Sequence, residues 1–136
     1  MTLNELAAAA LDITTLKGFH ETEEKLKKAL VNDSELQTEV HHLQTARRLA
    51  LIQSEISEAL EACRKGRYAD REAFQKAGAT KEAFEEYMKD SFEDELADAL
   101  IRILELAATE GIDMDVHVSE KMKYNADRPY KFGKAY

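Results

Sequence analysis

Residues that interrupt helices are scarce along this chain of 136 residues. It contains one proline, Pro129, and five glycines, so few backbone positions are unsuited to a helix. Turn-forming residues and β-branched runs are also uncommon, which favours helix over sheet. We therefore predict an all-α fold, a bundle of about five helices, in one domain that spans residues 1–136.

Charge and composition narrow the classes of partner. The formal net charge is −8, so a nucleic-acid backbone is not an expected partner. No apolar run approaches membrane-spanning length, and Glu5 and Asp12 interrupt the N-terminal segment, so neither a membrane partner nor a signal peptide is expected. Cys63 is the single cysteine, which excludes an internal disulfide and fits a reducing compartment. These observations predict a soluble cytoplasmic protein.

Helical periodicity and turn residues predict where the helices lie. Ser34 and Gln37 have the spacing of a capping box at the start of a long helix, and Gly66 is suited to end it. Ser91 and Asp94 could restart a later helix, so we predict a kink near residue 91. A helical turn is expected in the connector 67–79. The predicted helices cover residues 3–16, 21–30, 34–65, 80–109 and 115–126.

Two pairs of carboxylates lie in the two most apolar of these helices. Glu55 and Glu58 form one pair, and Glu95 and Asp98 form the other. Residues three apart in a helix share a face, so each pair should project from one side. Burying like charges together is costly unless a cation binds them. Because all the donors are carboxylate oxygens, the pattern indicates Mg²⁺ or Mn²⁺ rather than zinc.

Helical projection distinguishes these acids from an ordinary solvated face. At about 100° per residue, Glu55 falls inside an apolar arc, between Leu51 and Ile52. Glu61 points away from this arc. Glu95 and Asp98 lie on a narrow charged strip of a helix that is otherwise apolar, which places that helix centrally in the bundle. The alternative is a solvated surface, on which Asp98 and Arg102 would form an ordinary i,i+4 pair.

A second group of polar residues lies near the C-terminus. Lys121 and Asn125 are one turn apart on the last predicted helix, and Arg128 and Lys134 follow among aromatic residues. Cationic and amide donors suit phosphate oxygens, and rings suit a nucleobase. The alternative is an ordinary basic C-terminus that balances the helix dipole.

Together these two groups resemble the MazG-like family of all-α nucleoside triphosphate pyrophosphohydrolases. The family signature E-x-x-E followed by E-x-x-D is matched by Glu55/Glu58 and Glu95/Asp98. Four stretches resemble family segments in the same order: Lys17-Gly18-Phe19-His20, LIQSEISEALEACRKGR (51–67), FEDELADALIRILELAATEGID (92–113) and KMKYNADRPYKFGK (121–134).

The resemblance implies a function and residue roles. Relatives hydrolyse a nucleoside triphosphate to a monophosphate and pyrophosphate, often in nucleotide-pool house-cleaning, and complete their site as dimers or tetramers. Glu55, Glu58, Glu95 and Asp98 would then be the catalytic metal ligands, and one of them or Glu61 would orient the attacking water. Lys121, Asn125, Arg128 and Lys134 would bind the substrate, and Phe19 would pack against the base or in the core. Apolar surfaces on both long helices also favour a homodimer or homotetramer.

Two features depart from the family pattern. Residues 67–91 are predicted to be an insertion, and Phe132 stands where many relatives have histidine. Two other functions remain open. A di-iron carboxylate bundle needs two E-x-x-H motifs, and only Glu39-Val-His41-His42 offers one. A non-enzymatic helical interaction module would use the acids as a charged docking strip.

Overall fold

The computed structural model describes residues 1–133, which contain seven α-helices and no strand. The all-α prediction is confirmed, but the expected count of about five helices is too low. The helices are α1 (Leu3–Leu16), α2 (Glu21–Ala29), α3 (Ser34–Arg64), α4 (Arg71–Lys76), α5 (Lys81–Tyr87), α6 (Phe92–Thr109) and α7 (Met114–Ala126), followed by a 3₁₀ turn at Tyr130–Gly133. No helix in this part of the chain is both long and apolar enough to cross a membrane.

The predicted helix over residues 80–109 is two helices rather than one kinked helix. The backbone of Asp90 has φ +57°, a left-handed conformation that does not continue a right-handed helix. Ser91 then caps α6 by accepting a hydrogen bond from the Asp94 backbone N–H. The connector 67–79 contains α4, so the region predicted as an insertion holds two short helices.

The long helix α3 begins one residue away from its predicted cap. Asp33 is the N-cap, and its side chain accepts a hydrogen bond from the Leu36 backbone N–H. Ser34 is the first helical residue, and the Gln37 side chain donates to the Leu30 carbonyl instead of closing a capping box. Asp33 competes successfully for the cap because aspartate is as good a capping residue as serine.

Helix α6 packs between α1 and α3, as its apolar composition predicted. Small side chains at the contacts let the helix backbones approach closely. Among residues 1–131, the buried apolar residues are Leu104 and otherwise only alanines: Ala7, Ala10, Ala59, Ala62, Ala83, Ala99 and Ala107. No large side chain in that range is fully buried, so the apolar core that these residues form is thin.

Helices α3 and α6 are antiparallel. The Phe92 N–H donates to the Arg67 carbonyl at 2.9 Å, which joins the end of α3 to the start of α6. Farther along, Thr45 contacts Glu110 at 3.3 Å. In the chain segment that joins α3 to α6, the short helices α4 and α5 pack on each other. The rings of Phe74 and Phe84 meet edge to face there, with their centres 6.3 Å apart. This helical hairpin reverses the chain and sets the register that brings the two acidic segments together.

Helix α7 is attached to α1 through their N-termini. The Asp115 carboxylate accepts from the backbone N–H groups of Leu3 and Asn4, at 2.9 and 3.2 Å. The Asn4 side chain donates to Asp113 and accepts from the Met114 N–H. These bonds satisfy backbone donors that a helix start leaves free.

Candidate functional site

Three of the four predicted acids meet at the α3–α6 interface. Glu55 and Glu58 project from α3, and Glu95 projects from the N-terminal part of α6. One carboxylate oxygen from each lies within 4.8 Å of those of the other two. Glu55 and Glu95 are buried, each 7% exposed, whereas Glu58 is exposed. We call these three residues the carboxylate cluster, and its geometry is suited to a metal ion.

Glu95 is a buried acid without a counter-charge. Its carboxylate makes no hydrogen bond and no ion pair with the described residues. Burial raises the pKa of Glu95, and the nearby carboxylates of Glu58 and Glu55 raise it further. An acid in this position is costly to ionise unless a cation joins it. This unpaired carboxyl group is the strongest local indication of a ligand.

Asp98 lies one turn after Glu95 but outside the carboxylate cluster. It is exposed and lines the neighbouring cavity. Partial burial raises the pKa of Asp98, as do the charges of Asp94 and Glu55, while Arg102 opposes the shift. Asp98 is therefore placed at the border between the cluster and the cavity.

Arg102 is the cation paired with the carboxylate cluster within residues 1–133. Its Nε donates to Glu55 Oε1 at 2.6 Å, so the ion pair crosses from α6 to α3. The i,i+4 spacing would also allow a pair with Asp98 on the same helix. The structure instead has the cross-helix pair, because the antiparallel register brings Glu55 opposite Arg102.

A cavity of about 270 Å³ opens beside the cluster. Its charged lining includes three arginines, Arg47, Arg48 and Arg102, in a protein that is acidic overall. Leu51 and Ile101 supply apolar surface, and Phe19, which is 75% exposed, lines the rim. The lining also includes the carboxylates of Glu23, Asp98 and Glu105, so the cavity combines an apolar wall with charged groups of both signs.

A network of polar side chains closes one side of this cavity. Glu105 on α6 accepts a hydrogen bond from Thr14 Oγ1 at 2.8 Å and lies 2.9 Å from His20 Nε2. Arg48 on α3 donates to both carboxylate oxygens of Glu23, at 2.7 and 2.6 Å. We call the following five residues the His20 network: Thr14, His20, Glu23, Arg48 and Glu105. It ties α1, α2, α3 and α6 together and separates the cavity from a second one of about 580 Å³.

Sequence reasoning missed Arg47, Arg48 and the His20 network, and it considered Arg102 only as an i,i+4 partner of Asp98. A local signal for Arg48 existed, because it precedes Glu55 by seven residues and so lies on the same face of α3. Its partner Glu23 is on another helix, and no local pattern indicates that contact. Glu61, in contrast, pairs with Lys65 at 3.2 Å on the exposed face, as its projection away from the apolar arc predicted.

The structure does not bring the described members of the predicted substrate-binding set to the cavity beside the cluster within one chain. Lys121, Asn125 and Arg128 do not line the cavity beside it. The Lys121 ammonium lies 4.8 Å from the centre of the Tyr124 ring, and Asn125 Oδ1 is buried without a hydrogen-bond partner among the described residues. Lys134 lies outside the described residues. A substrate role for these four residues stays a prediction.

The histidines of the E-x-x-H motif are separate from the cluster. His41 pairs with Glu110 at 3.1 Å, and His42 is exposed on the same helix. Within residues 1–133, the one candidate group of metal ligands contains glutamates alone. The structure therefore offers no histidine for a di-iron centre of the E-x-x-H type at this place.

The chain matches no protein-family model, no curated protein and no solved structure. The resemblance to the MazG-like family therefore rests on the quoted residues, and it supplies a hypothesis about function rather than an identity.

Proposed function

We propose that this protein is a Mg²⁺-dependent nucleoside triphosphate pyrophosphohydrolase of the MazG-like type. The observation that carries the proposal is the buried, unpaired Glu95 carboxylate beside Glu55 and Glu58. A Mg²⁺–oxygen distance of about 2.0–2.1 Å puts ligand oxygens about 3–4 Å apart. The 4.8 Å span of the cluster requires only small side-chain rotations to reach that spacing. The all-oxygen donor set also fits Mg²⁺, or Mn²⁺ in its place.

Glu55, Glu58 and Glu95 would hold the metal ion. A bound Mg²⁺ would neutralise phosphate charge and lower the pKa of a coordinated water. Asp98 would either complete the ligand set or accept a proton from the attacking water. Asp98→Asn separates the two roles, since a lost ligand weakens Mg²⁺ binding, whereas a lost base lowers kcat with Mg²⁺ affinity retained.

The cavity beside the cluster would accept the nucleoside triphosphate. Its arginines suit phosphate oxygens, while Leu51, Ile101 and Phe19 offer apolar contact to a base or sugar. Lys121 and Asn125 do not reach this cavity in one chain. In the proposed enzyme they would approach the site of a second copy, as the family resemblance implies.

Apolar stripes on both long helices support a homo-oligomer, a homodimer or homotetramer. Ile56 and Leu60 on α3 are 48% and 60% exposed, and Leu96 and Leu100 on α6 are 42% and 48% exposed. The thin core of a single chain gains large buried side chains only if these stripes are covered. Leu100→Glu should produce monomers in light scattering, whereas Glu85→Gln on the exposed face of α5 should not.

The test is a panel of canonical and modified nucleoside triphosphates with Mg²⁺, scored for pyrophosphate against orthophosphate. We expect pyrophosphate and monophosphate as first products. Glu58→Gln should abolish turnover. Glu61→Gln should retain it, because Glu61 is exposed and paired with Lys65, and the proposed mechanism gives the attacking water to Asp98 or a metal ligand rather than to Glu61. Release of orthophosphate as the first product would refute cleavage between the α and β phosphates. A non-enzymatic interaction module predicts neither turnover nor Mg²⁺-dependent stabilisation.

A further inference from the structure

The three arginines of the cavity are held in different ways. Arg48 is fixed by both carboxylate oxygens of Glu23. Arg47 has no ion pair within the described residues and is exposed. Arg102 alone connects the cavity to the carboxylate cluster, because it lines the cavity and contacts Glu55 at 2.6 Å. It is therefore the arginine whose position depends on the charge of the cluster.

Electrostatics make the Arg102 contact sensitive to a metal ion. The guanidinium group compensates the buried Glu55 carboxylate, whose side chain is 10% exposed. A divalent cation at the cluster would supply this compensation with twice the charge, and it would repel a guanidinium group a few ångströms away. The Arg102 side chain is 41% exposed, so it has room to leave.

We propose that Arg102 is the resident counter-cation of the carboxylate cluster, that Mg²⁺ displaces it from Glu55, and that it then binds an anionic group of the ligand in the adjoining cavity. This inference rests on the metal site of the proposed function. It assigns Arg102 to two partners in turn, a protein carboxylate and a ligand phosphate, and both chemistries suit a guanidinium group.

A coupling between metal and anion follows. Mg²⁺ frees Arg102 for the anion, so it raises the affinity for phosphate. By thermodynamic reciprocity, phosphate raises the affinity for Mg²⁺ by the same factor, since it retains Arg102 away from Glu55. Couplings of this kind typically change affinity about 5-fold or more.

The binding test uses Mg²⁺ alone and Mg²⁺ with inorganic phosphate, measured by calorimetry. In the wild-type protein, saturating phosphate should lower the Kd for Mg²⁺ about 5-fold or more. Arg102→Gln should bind Mg²⁺ alone more tightly than wild type, and phosphate should lower that Kd by a smaller factor than it does in wild type, because only the direct attraction between Mg²⁺ and phosphate is left. The matched control Arg47→Gln lines the same cavity without a carboxylate partner, so it should leave the Kd for Mg²⁺ alone unchanged.

A direct measurement on the wild-type protein avoids any effect of the substitution on folding. The Arg102 Nε–H resonance, assigned by its loss in Arg102→Lys, should be protected from exchange without metal and should lose this protection on Mg²⁺ saturation. If Arg102 instead orients Glu55 permanently, the protection persists and Arg102→Gln weakens Mg²⁺ binding, about 10- to 100-fold for an orienting hydrogen bond.

The outcomes separate this inference from the proposed function. Persistent protection, or equal or weaker Mg²⁺ binding by Arg102→Gln, overturns the displacement of Arg102 while the metal site stands. Failure of both wild type and Arg102→Gln to bind Mg²⁺ overturns the metal site and the inference together. If Arg102→Gln binds Mg²⁺ and wild type does not, the inference is supported, because Arg102 then competes with Mg²⁺ for Glu55.

Discussion

Helices α3 and α6 both contribute to two groups of charged residues that differ in how their acids are paired. In the His20 network, Glu105 and Glu23 each contact hydrogen-bond donors or cations from another helix. In the carboxylate cluster, Arg102 compensates Glu55, and Glu95 has no partner among the described residues. The same helix pair therefore supports one group with its charges satisfied and another with excess negative charge.

This difference separates a structural role from a ligand-binding role. A buried acid with its partners in place stabilises the fold or costs little, because its charge is compensated. A buried acid without partners costs stability in the folded chain, and only a bound cation recovers that cost. Substitutions in the two groups should therefore have opposite effects, which makes the comparison testable.

The largest expected effect is the loss of Mg²⁺ binding on replacing Glu95. Glu95→Gln removes a proposed ligand and should weaken Mg²⁺ binding by about 100-fold or more. This is more than the usual effect of changing a residue that only hydrogen-bonds to a metal ligand. Glu105→Gln, on the same helix, should bind Mg²⁺ nearly as well as wild type. Calorimetry or Mg²⁺-dependent thermal stabilisation measures both. Equal losses in the two variants would show that the groups do not differ in this way.

The next effect is a loss of folding stability when the His20 network is broken. Arg48→Met keeps the aliphatic stem but leaves the partly buried Glu23 without its cation, at a cost of about 1–3 kcal/mol. The neighbouring Arg47→Met removes an exposed arginine without an ion pair and should change stability by less than about 0.5 kcal/mol. Urea unfolding compares them. Similar midpoints would contradict the structural role of the network.

Local patterns were sufficient for the positions of most helices and for the burial of Glu55, but not for the break between α5 and α6. The periodicity of 3.6 residues per turn placed Glu55 in an apolar arc, and the structure buries it. Gly66, predicted to end the long helix, follows the C-terminus of α3 and has φ +68°. Such features depend on residues within a turn or two of each other, which a sequence displays directly.

Contacts between helices could not be predicted in the same way. Arg102 has two acids within reach, Asp98 on its own helix and Glu55 across the interface. The choice depends on the antiparallel register of α3 and α6, which the hairpin of α4 and α5 sets. Arg48 likewise pairs with Glu23 because α2 packs beside α3. No local spacing contains that information.

A smaller effect sharpens the contrast between Glu95 and Glu105 in the absence of metal. With EDTA present, Glu95→Gln should raise the melting temperature at neutral pH by a few degrees at most, since it removes an uncompensated buried charge. Glu105→Gln should lower it, because a neutral amide oxygen is a weaker hydrogen-bond partner for Thr14 and His20 than the charged carboxylate oxygen that contacts both. Differential scanning calorimetry measures both shifts. A lower melting temperature for Glu95→Gln would mean that its charge is compensated after all.

The smallest effect is the pH dependence of metal-free stability. The folded protein holds the pKa of Glu95 above its ordinary value of 4.5. At pH values between 4.5 and the raised pKa of Glu95, the folded state binds more protons than the unfolded state. The free energy of unfolding therefore falls as pH rises through this range. Above the folded pKa the full cost of the charged acid is present.

Melting temperatures of wild type and Glu95→Gln in EDTA should therefore approach each other near pH 4 and separate in favour of the variant as pH rises. Saturating Mg²⁺ should reverse this trend for wild type but not for Glu95→Gln, because the metal binds the deprotonated carboxylates and its affinity rises with pH. Glu105→Gln should still respond to Mg²⁺, since its carboxylate belongs to the paired group. A pH-independent difference between wild type and Glu95→Gln would instead assign the effect of the substitution to packing, and the contrast between the two groups would no longer be one of charge.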